Sequence, residues 1–236
     1  MIVIRTAGHS LSICLVGGSP SSDTDSKVFR DRIDAGRRLA RELDEYRNRE
    51  AVVLGLPRGG VVIGSAVARE LNVPLDIIVV RKLGAPNHRE LGVGAISEHG
   101  VRVLNDDLIA HLRIPERALA EVERAERAEL HRRVDRYRRG REETDLENRI
   151  AIIVDDGLAT GYTARAAVQA ARVRLAGQIV LAVPVAAEDT VASLAALTDR
   201  VVAVSIPRDF RAVGLWYRDF RQTTDREVLA LLGDPE

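Results

Sequence analysis

An apolar strand that runs directly into two adjacent carboxylates constrains the fold of this chain more than any other feature. Residues 150–163 read Ile-Ala-Ile-Ile-Val-Asp-Asp-Gly-Leu-Ala-Thr-Gly-Tyr-Thr, and an alanine-rich segment follows to residue 176. The apolar run predicts a strand buried on both faces of a parallel sheet, and the alanine-rich segment predicts a helix. Asp155 and Asp156 are therefore expected at the carboxyl end of a buried strand, just before a helix N-terminus.

This arrangement suits a sugar phosphate. Free backbone N–H groups and the helix dipole stabilise a phosphate at a helix N-terminus. Two carboxylates beside that point can accept hydrogen bonds from a vicinal diol. An alternative interpretation is a strand-to-helix turn of another doubly wound protein, in which the acids cap the helix.

Strands and helices alternate along most of the chain. This order predicts an α/β protein with a doubly wound, mostly parallel sheet that is covered by helices on both faces. Predicted strands cover residues 51–55, 74–80, 101–104, 150–154, 178–184 and 200–205, and predicted helices cover 29–50, 61–71, 115–140, 164–176 and 188–197. The long helix at 115–140 is rich in Glu and Arg with a narrow apolar stripe, so it is expected to pack on one side of the domain or against a second subunit.

Residues 152–163 resemble the signature of the type I phosphoribosyltransferases, in which two acids after an apolar strand precede Thr-Gly-x-Thr. The resemblance implies the fold of that family over residues 28–236, with a small hood formed by the C-terminal segment and a loop and with the long charged helix as an addition. It implies that phosphoribosyl pyrophosphate (PRPP) binds with its ribose hydroxyls on Asp155 and Asp156, which would also stabilise a cationic transition state. The residues expected to hold the ribose and the 5-phosphate are Asp155, Asp156, Gly157, Leu158, Ala159, Thr160, Gly161, Tyr162 and Thr163.

The run Gly55-Leu56-Pro57-Arg58-Gly59-Gly60 follows the first predicted strand. Glycines let the backbone approach a ligand closely, and Arg58 carries a planar fork of donors that suits phosphate oxygens. The run is similar to the pyrophosphate loop of the same family, which implies that Arg58, Gly59 and Gly60 bind pyrophosphate and that the peptide bond before Arg58 is cis. The alternative is an ordinary tight turn with a solvated Arg58.

Lys82 is one of only two lysines among the 35 basic residues, so a compact ammonium group is favoured at this position over mere charge. Residues 81–94 contain several glycines and a polar Asn-His-Arg-Glu stretch, which predict a mobile loop that closes over a ligand. They resemble the flexible catalytic loop of the family, which implies that Lys82 is catalytic and that Arg81 and Lys82 neutralise the departing pyrophosphate. A β-hairpin or a surface loop without a ligand is the alternative.

Four of the chain's eight aromatic residues fall within residues 210–220. In the family, residues of this kind form a hood that stacks on the acceptor base, so Trp216 and Tyr217 are candidates for base stacking. Alternatively, these aromatic residues anchor the C-terminal segment on the core.

One position departs from the family pattern. Enzymes acting on 6-oxopurines usually carry an Asp immediately before the Thr-Gly of the loop, where this chain has Ala159. No general acid or base can act from that side chain, so the acceptor is left unassigned and Glu90 or His88 becomes a candidate for proton transfer.

Composition excludes several classes of protein. The 35 basic and 35 acidic residues cancel, so nucleic acid and membrane surfaces are not favoured partners. The single cysteine, Cys14, fits a reducing compartment, and a cytoplasmic location is expected. The histidines show no metal-ligand spacing. Residues 1–27 include a small, polar run that predicts a disordered tail or a misassigned start of translation.

The resemblance therefore implies an enzyme that transfers a phosphoribosyl group from PRPP to a small nitrogenous acceptor, with Mg²⁺ as cofactor and a homodimer as its assembly. Mg²⁺ is expected to bind mainly through ligand oxygens and water, so no direct protein ligand is predicted. A non-catalytic PRPP or nucleotide sensor with the same fold is the rival hypothesis. A phosphohydrolase of the haloacid dehalogenase type is disfavoured because its pattern needs a residue between the two acids.

Overall fold

The computed structural model describes residues 2–7, 10–15 and 28–233, the first two ranges by their backbone alone. The strands of these residues are β1 Ile2–Ala7, β2 Ser10–Leu15, β3 Ala51–Gly55, β4 Leu75–Ile77, β5 Val80–Ala85, β6 His88–Ser97, β7 Arg102–Leu104, β8 Ile150–Val154, β9 Gln178–Val185 and β10 Arg200–Ser205. The helices are α1 Arg32–Glu42, α2 Gly59–Leu71, α3 Asp106–His111, α4 Glu116–Tyr137, α5 Tyr162–Val173, α6 Glu188–Ala195 and α7 Asp225–Leu232.

The central sheet has seven strands in the order β2-β1-β10-β9-β8-β3-β4. The five strands from β10 to β4 are parallel, while β1 is antiparallel to both β10 and β2. The predicted doubly wound, mostly parallel sheet is thus confirmed. Strand β8 lies between β3 and β9, so the segments that follow β8 and β3 emerge side by side at one edge of the sheet.

Successive side chains of the parallel strands alternate between two cores, as the pleat of a strand requires. Ile153 of β8 packs with α5 and α6 on one face, and Ile152 packs with α1 and α2 on the other. Both side chains are fully buried. This alternation explains why the strand is apolar throughout, and it fixes which helices flank the acids that follow.

A second sheet of three strands, β5-β6-β7, lies beside the central one. Its residues Leu83, Val93 and Ile96 pack on α4 through Leu119 and Leu130, together with residues of α7. Only this apolar stripe and Tyr137 of α4 are buried, in agreement with the predicted charged helix. No helix in the described residues is long and apolar enough to span a bilayer.

Three of the segments that differ from the sequence-based predictions contain strands. Residues 80–97 form the antiparallel hairpin β5-β6 where a mobile loop was expected, because the glycines at 84 and 94 allow close approach of neighbouring backbone. The predicted strand 74–80 leaves the central sheet after Ile77, where the N–H of Val79 donates to Oε1 of Glu98. Within the predicted disordered tail, residues 2–7 and 10–15 are strands, which their β-branched residues favour, and residues 8–9 and 16–27 lie outside the described residues.

Candidate active site

Strand β8 delivers two acids to the carboxyl edge of the central sheet. Asp155 and Asp156 follow Val154, which pairs with Gly55 of β3 and with Ala182 of β9. The N–H of Asp156 donates to Oδ1 of Asp155 at 2.8 Å. The two predicted carboxylates are therefore held together in a half-buried position at the switch between strand and loop.

The predicted pyrophosphate loop packs directly against these acids. A Cβ built on Gly59 would lie 2.2 Å from Oδ2 of Asp156, and one on Gly60 would lie 2.5 Å from the carbonyl oxygen of Val154. The close atoms at Gly60 belong to the backbone and cannot move away, so this position needs glycine, whereas those at Gly59 belong to the side chains of Asp156 and Arg32, which would have to shift. The peptide bond between Pro57 and Arg58 is cis, as the resemblance predicted. The structure thus joins two motifs that lie almost a hundred residues apart in the sequence.

Electrostatics distinguishes the two acids. Burial, followed by the neighbouring Asp156, raises the pKa of Asp155 well above its ordinary value. Burial also raises the pKa of Asp156, but the guanidinium of Arg32 opposes this shift. Arg32 donates to Oδ2 of Asp156 from Nε at 3.2 Å and from Nη2 at 3.0 Å. The two close carboxylates repel each other, and of the two only Asp156 is hydrogen-bonded to Arg32. A ligand with hydroxyl groups or a cation can stabilise their negative charge.

The loop between Asp156 and α5 presents backbone donors. Among the described residues, no hydrogen bond is donated by the N–H groups of Ala159, Thr160, Gly161 and Tyr162. The carbonyl of Ala159 accepts a hydrogen bond from Oγ1 of Thr190 at 2.5 Å, which orients the turn. Gly161 has φ of 75°, a left-handed conformation that favours glycine at the start of α5. Unpaired donors at the N-terminus of a twelve-residue helix are suited to bind an anion, as the resemblance predicted for this turn.

Sequence reasoning missed one residue at this site and chose another for a different role. Arg32, at the start of α1, contacts Asp156, and Tyr217 donates its hydroxyl to the carbonyl oxygen of Asp156 at 2.6 Å. Nothing in the sequence separates Arg32 from the other arginines, because its role depends on a partner 124 positions away. Tyr217 was selected as an aromatic residue for a different role.

Residues 29–209 match the phosphoribosyl transferase domain family. The chain belongs to the phosphoribosyltransferase family. Two Mycobacterium tuberculosis proteins, from strains CDC 1551 / Oshkosh and ATCC 25618 / H37Rv, are each 52% identical to it over 206 residues, which is 87% of this chain and 46% of theirs. Their names provisionally describe them as phosphoribosyl transferases, and the chain spans about half of their length.

The fold is shared with a protein of known structure. The protein TT1426 from Thermus thermophilus is 42% identical, with a TM-score of 0.73, and the similarity covers 87% of this chain and 97% of that chain. The expected type I phosphoribosyltransferase fold is thereby confirmed for most of the chain.

The two predicted basic residues of β5 point in opposite directions. Adjacent side chains of a strand lie on opposite faces, and Arg81 is directed to α4, where its Nη2 lies 2.6 Å from Oε2 of Glu126. Lys82 is exposed and pairs across the hairpin with Ala95, whose side chain packs on the α5 side. The structure therefore places Arg81 and Lys82 on opposite faces of the hairpin. Lys82 lies on the face towards α5, the helix that follows the predicted phosphate-binding turn.

Arg58 of the predicted pyrophosphate loop lies beside Asp225 of α7. Its Nη1 lies 3.8 Å from Oδ1 of Asp225, and that carboxylate also accepts from the hydroxyl of Tyr137 and pairs with Arg136. The distance to Asp225 is long for a hydrogen bond, and about a quarter of the Arg58 side chain is exposed. The guanidinium is therefore only weakly restrained and can turn to an incoming anion.

The two candidate stacking residues of the C-terminal segment have different surroundings. The ring of Tyr217 is buried between Phe29 and Phe220, with centroid distances of 5.4 and 5.0 Å. This position favours the alternative in which the aromatic residues anchor the segment on the core. Trp216 is half-buried and lines a cleft of about 540 Å³ together with Pro207, Arg208, Asp209, Arg211, Leu215 and Val28. Its stacking role stays a prediction.

One cluster away from the acids has the composition of a metal site. Ligand atoms of Glu98, His99 and Glu143 lie within 4.8 Å of one another. Arg138 already contacts both carboxylates, with Nε 3.2 Å from Glu98 and Nη2 3.0 Å from Glu143. A guanidinium supplies the positive charge there, so the cluster is a half-buried ion-pair network.

Proposed function

We propose that the protein catalyses transfer of the 5-phosphoribosyl group of PRPP to a nitrogenous base, with release of pyrophosphate. The observation that carries the proposal is the contact between the Gly59-Gly60 turn and the two carboxylates after β8. It brings the predicted pyrophosphate loop, the two carboxylates expected to accept from a diol and the predicted phosphate-binding turn to one edge of the sheet. PRPP carries the three matching groups, a pyrophosphate, a vicinal diol and a 5-phosphate, on a single ribose ring.

The proposed reaction breaks the bond between C1 of the ribose and a pyrophosphate oxygen and forms a bond from C1 to nitrogen. Positive charge develops on the ring, and the neighbouring carboxylates of Asp155 and Asp156 stabilise it electrostatically. The electron pair of the breaking bond leaves with pyrophosphate, whose charge Arg58 and Lys82 would neutralise. The acceptor nitrogen loses its proton to solvent or to an exposed side chain of the hairpin, for which Glu90 and His88 are the candidates.

The residues at the site fit the expected Mg²⁺ ion. Asp155 and Asp156 offer only oxygen atoms as ligands, which Mg²⁺ prefers. Burial raises the pKa of both carboxyl groups because it disfavours their charged forms, and a nearby cation would stabilise those charged forms. When bound, the ion would offset the negative charge of the pyrophosphate. Both carboxylates would hold the ion mainly through its bound water, as expected for a site without a direct protein ligand.

The test is an assay of pyrophosphate release from PRPP and Mg²⁺ across a panel of purine and pyrimidine bases. Asp155→Asn and Asp156→Asn are each expected to lower kcat/KM for PRPP roughly 10- to 100-fold, the usual loss for a hydrogen bond to a charged group. Asp135→Asn, an exposed position on α4, is the matched control and is expected to have no effect. Absence of PRPP-dependent pyrophosphate release with every base would refute the proposed activity.

One observation favours the second candidate, a protein that binds PRPP without turning it over. Arg81 is engaged by Glu126 on α4, so one of the cations expected for the leaving group points away from the hairpin face of Lys82. A sensor needs the ribose and phosphate contacts but has no leaving group to stabilise. Calorimetric binding of PRPP without pyrophosphate release from any base would favour the sensor over the enzyme.

A further inference from the structure

We propose that Arg32 is a positioning residue of the ribose site, which orients the carboxylate of Asp156 and links it to the C-terminal segment Asp219–Arg221. The inference rests on the proposed PRPP site and adds a residue from the first turn of α1 to it. Its basis is the set of contacts that Arg32 makes on both sides.

On one side, Arg32 grips a single carboxylate oxygen. Nε and Nη2 both donate to Oδ2 of Asp156, at 3.2 and 3.0 Å. The same oxygen is the atom that a Cβ on Gly59 would meet at 2.2 Å. Oδ2 therefore lies in a narrow slot between the guanidinium and the pyrophosphate loop, and Oδ1 is the oxygen left for a ligand hydroxyl. An acceptor whose second oxygen is fixed in this way is pre-organised for a diol.

On the other side, Arg32 is tied to the segment that precedes α7. Nη1 donates to the carbonyl oxygen of Arg221 at 2.8 Å, and the guanidinium carbon lies 4.1 Å from the centre of the Phe220 ring. The Arg32 side chain is 11% exposed, so these contacts are made largely out of water, where charge-assisted hydrogen bonds and cation–π contacts are strong. The Arg32 side chain therefore connects the carboxylate of Asp156 to the C-terminal segment Asp219–Arg221.

Two features separate this arrangement from a simple surface ion pair. Three of the guanidinium nitrogens have specific partners on two different segments, which a lysine cannot reproduce with one ammonium group. Asp156 is also fixed from behind, because Tyr217 of the same C-terminal region donates to its carbonyl oxygen. The backbone and the carboxylate of Asp156 are therefore both held by residues 217–221, one directly and the other through Arg32.

Other charged and titratable groups surround the pair. Asp155 faces Asp156 directly, and Tyr217 lies behind it. The cavity on the far side of Arg32, of about 340 Å³, is also lined by the charged residues Asp31, Asp219, Arg221 and Glu227. Among these outer groups, Glu227 is paired with Arg221, and Asp31 accepts a hydrogen bond from the N–H of Asp34, so both have partners of their own.

The experiment compares Arg32→Gln, Arg32→Lys and Phe220→Leu with the wild type, and Arg37→Gln on the exposed side of α1 is the control. The first readout is the Kd for PRPP with Mg²⁺ as a function of pH. We expect Arg32→Gln to weaken binding roughly 10- to 100-fold. We also expect the loss of PRPP binding at acidic pH to begin at a higher pH in this variant, because Asp156 loses the cation that opposes its protonation. Arg32→Lys is expected to restore binding at acidic pH in part and Phe220→Leu to give a smaller shift.

The second readout does not need PRPP. Carbon-13 NMR titration of aspartate-labelled protein reports the carboxyl resonance that Asp156→Asn removes, and its midpoint is expected to rise in Arg32→Gln. If Arg32→Gln does not fold, Arg32→Met keeps the apolar stem and takes its place. An unchanged midpoint together with an unchanged Kd in the Arg32 variant overturns the inference.

The two proposals can fail separately. A wild type that binds no PRPP refutes the proposed function, and the NMR midpoint then decides the role of Arg32 alone. Equal turnover of PRPP by the wild type and by Arg32→Gln refutes only the positioning role. Unchanged behaviour of Phe220→Leu in both readouts contradicts the link to the C-terminal segment.

Discussion

Gly60 gives the sharpest test of how the two motifs of the site fit together. It is the second residue of α2, and a methyl group there would lie 2.5 Å from the carbonyl oxygen of Val154 and 3.0 Å from Cα of Asp155. The first distance is about 0.9 Å short of the 3.4 Å at which ordinary contact begins. Both contacts are with backbone, which cannot rotate away. In Gly60→Ala the pyrophosphate loop and the end of β8 must therefore move apart.

The size of the effect follows from two opposing contributions. Overpacking costs typically 1–3 kcal/mol, and replacing glycine by alanine in a helix returns roughly 0.5–1 kcal/mol. The net loss of unfolding free energy is about 0.5–2 kcal/mol, and each kcal/mol lowers the melting temperature of a chain of this size by about 2–4 °C. A displacement of about 1 Å between reacting groups can cost on the order of 100-fold in rate. We therefore expect a small loss of stability and a large loss of PRPP turnover.

The matched control is Gly64→Ala, one turn further along α2. Its Cβ would lie 3.3 Å from methyl groups of Leu75 and Val53, which are ends of side chains and can yield. This variant has the same helix-propensity gain, but it does not push against the acids. We expect wild-type PRPP binding, with a melting temperature equal to or slightly above that of the wild type. Wild-type kcat/KM and melting temperature in Gly60→Ala would refute the reasoning.

Three further predictions concern single side chains. Burial raises the pKa of Asp155 above its unfolded value of about 3.9, so the folded protein loses stability as the pH rises between these two values. Asp155→Asn is thus expected to melt above the wild type at pH 7.5, with the difference vanishing below about pH 4; an equal or lower melting temperature at pH 7.5 contradicts this. Tyr217→Phe removes the hydrogen bond to the carbonyl of Asp156 and is expected to cost about 1 kcal/mol in urea unfolding, and an unchanged midpoint would count against the bond. Arg138→Met leaves the buried Glu98 without its cation and leaves Asp76 with Arg174 alone, at 3.7 Å, so it is expected to cost about 3–5 kcal/mol. The exposed Arg132→Met serves as the control, and similar small losses in both variants would contradict the network.

Local pattern was sufficient for the elements of the central sheet. The strands at 51–55, 150–154 and 200–205 were predicted with the limits that the structure has, because buried parallel strands are short apolar runs bounded by glycine or charge. The hairpin β5-β6 was predicted only as the alternative to a mobile loop, because its glycines are also typical of a loop and only pairing along the ladder distinguishes the two. The helix expected at 29–50 is shorter, since it begins after Asp31, whose side chain caps it, and ends at Glu42.

The site shows the same division. Sequence reasoning identified Asp155, Asp156 and the Gly59-Gly60 turn, because acids and glycines after apolar strands form a local pattern. It grouped Arg81 with Lys82, which the strand places on opposite faces. It also chose Tyr217 as a stacking residue, whereas its ring lies between Phe29 and Phe220.

The sequence by itself therefore determined the fold class, the family and the two motifs that meet at the carboxyl edge of the sheet, since each depends on residues close together in the chain. Only the tertiary structure decided which arginine pairs with Asp156, which face of β5 receives Arg81 and what surrounds Tyr217. The hydrogen bonds of Arg32 to Asp156, of Arg81 to Glu126 and of Tyr217 to Asp156 join residues from 45 to 124 positions apart. Their partners are chosen by the packing of α1, α4 and the C-terminal segment around the sheet, and no local pattern encodes that packing.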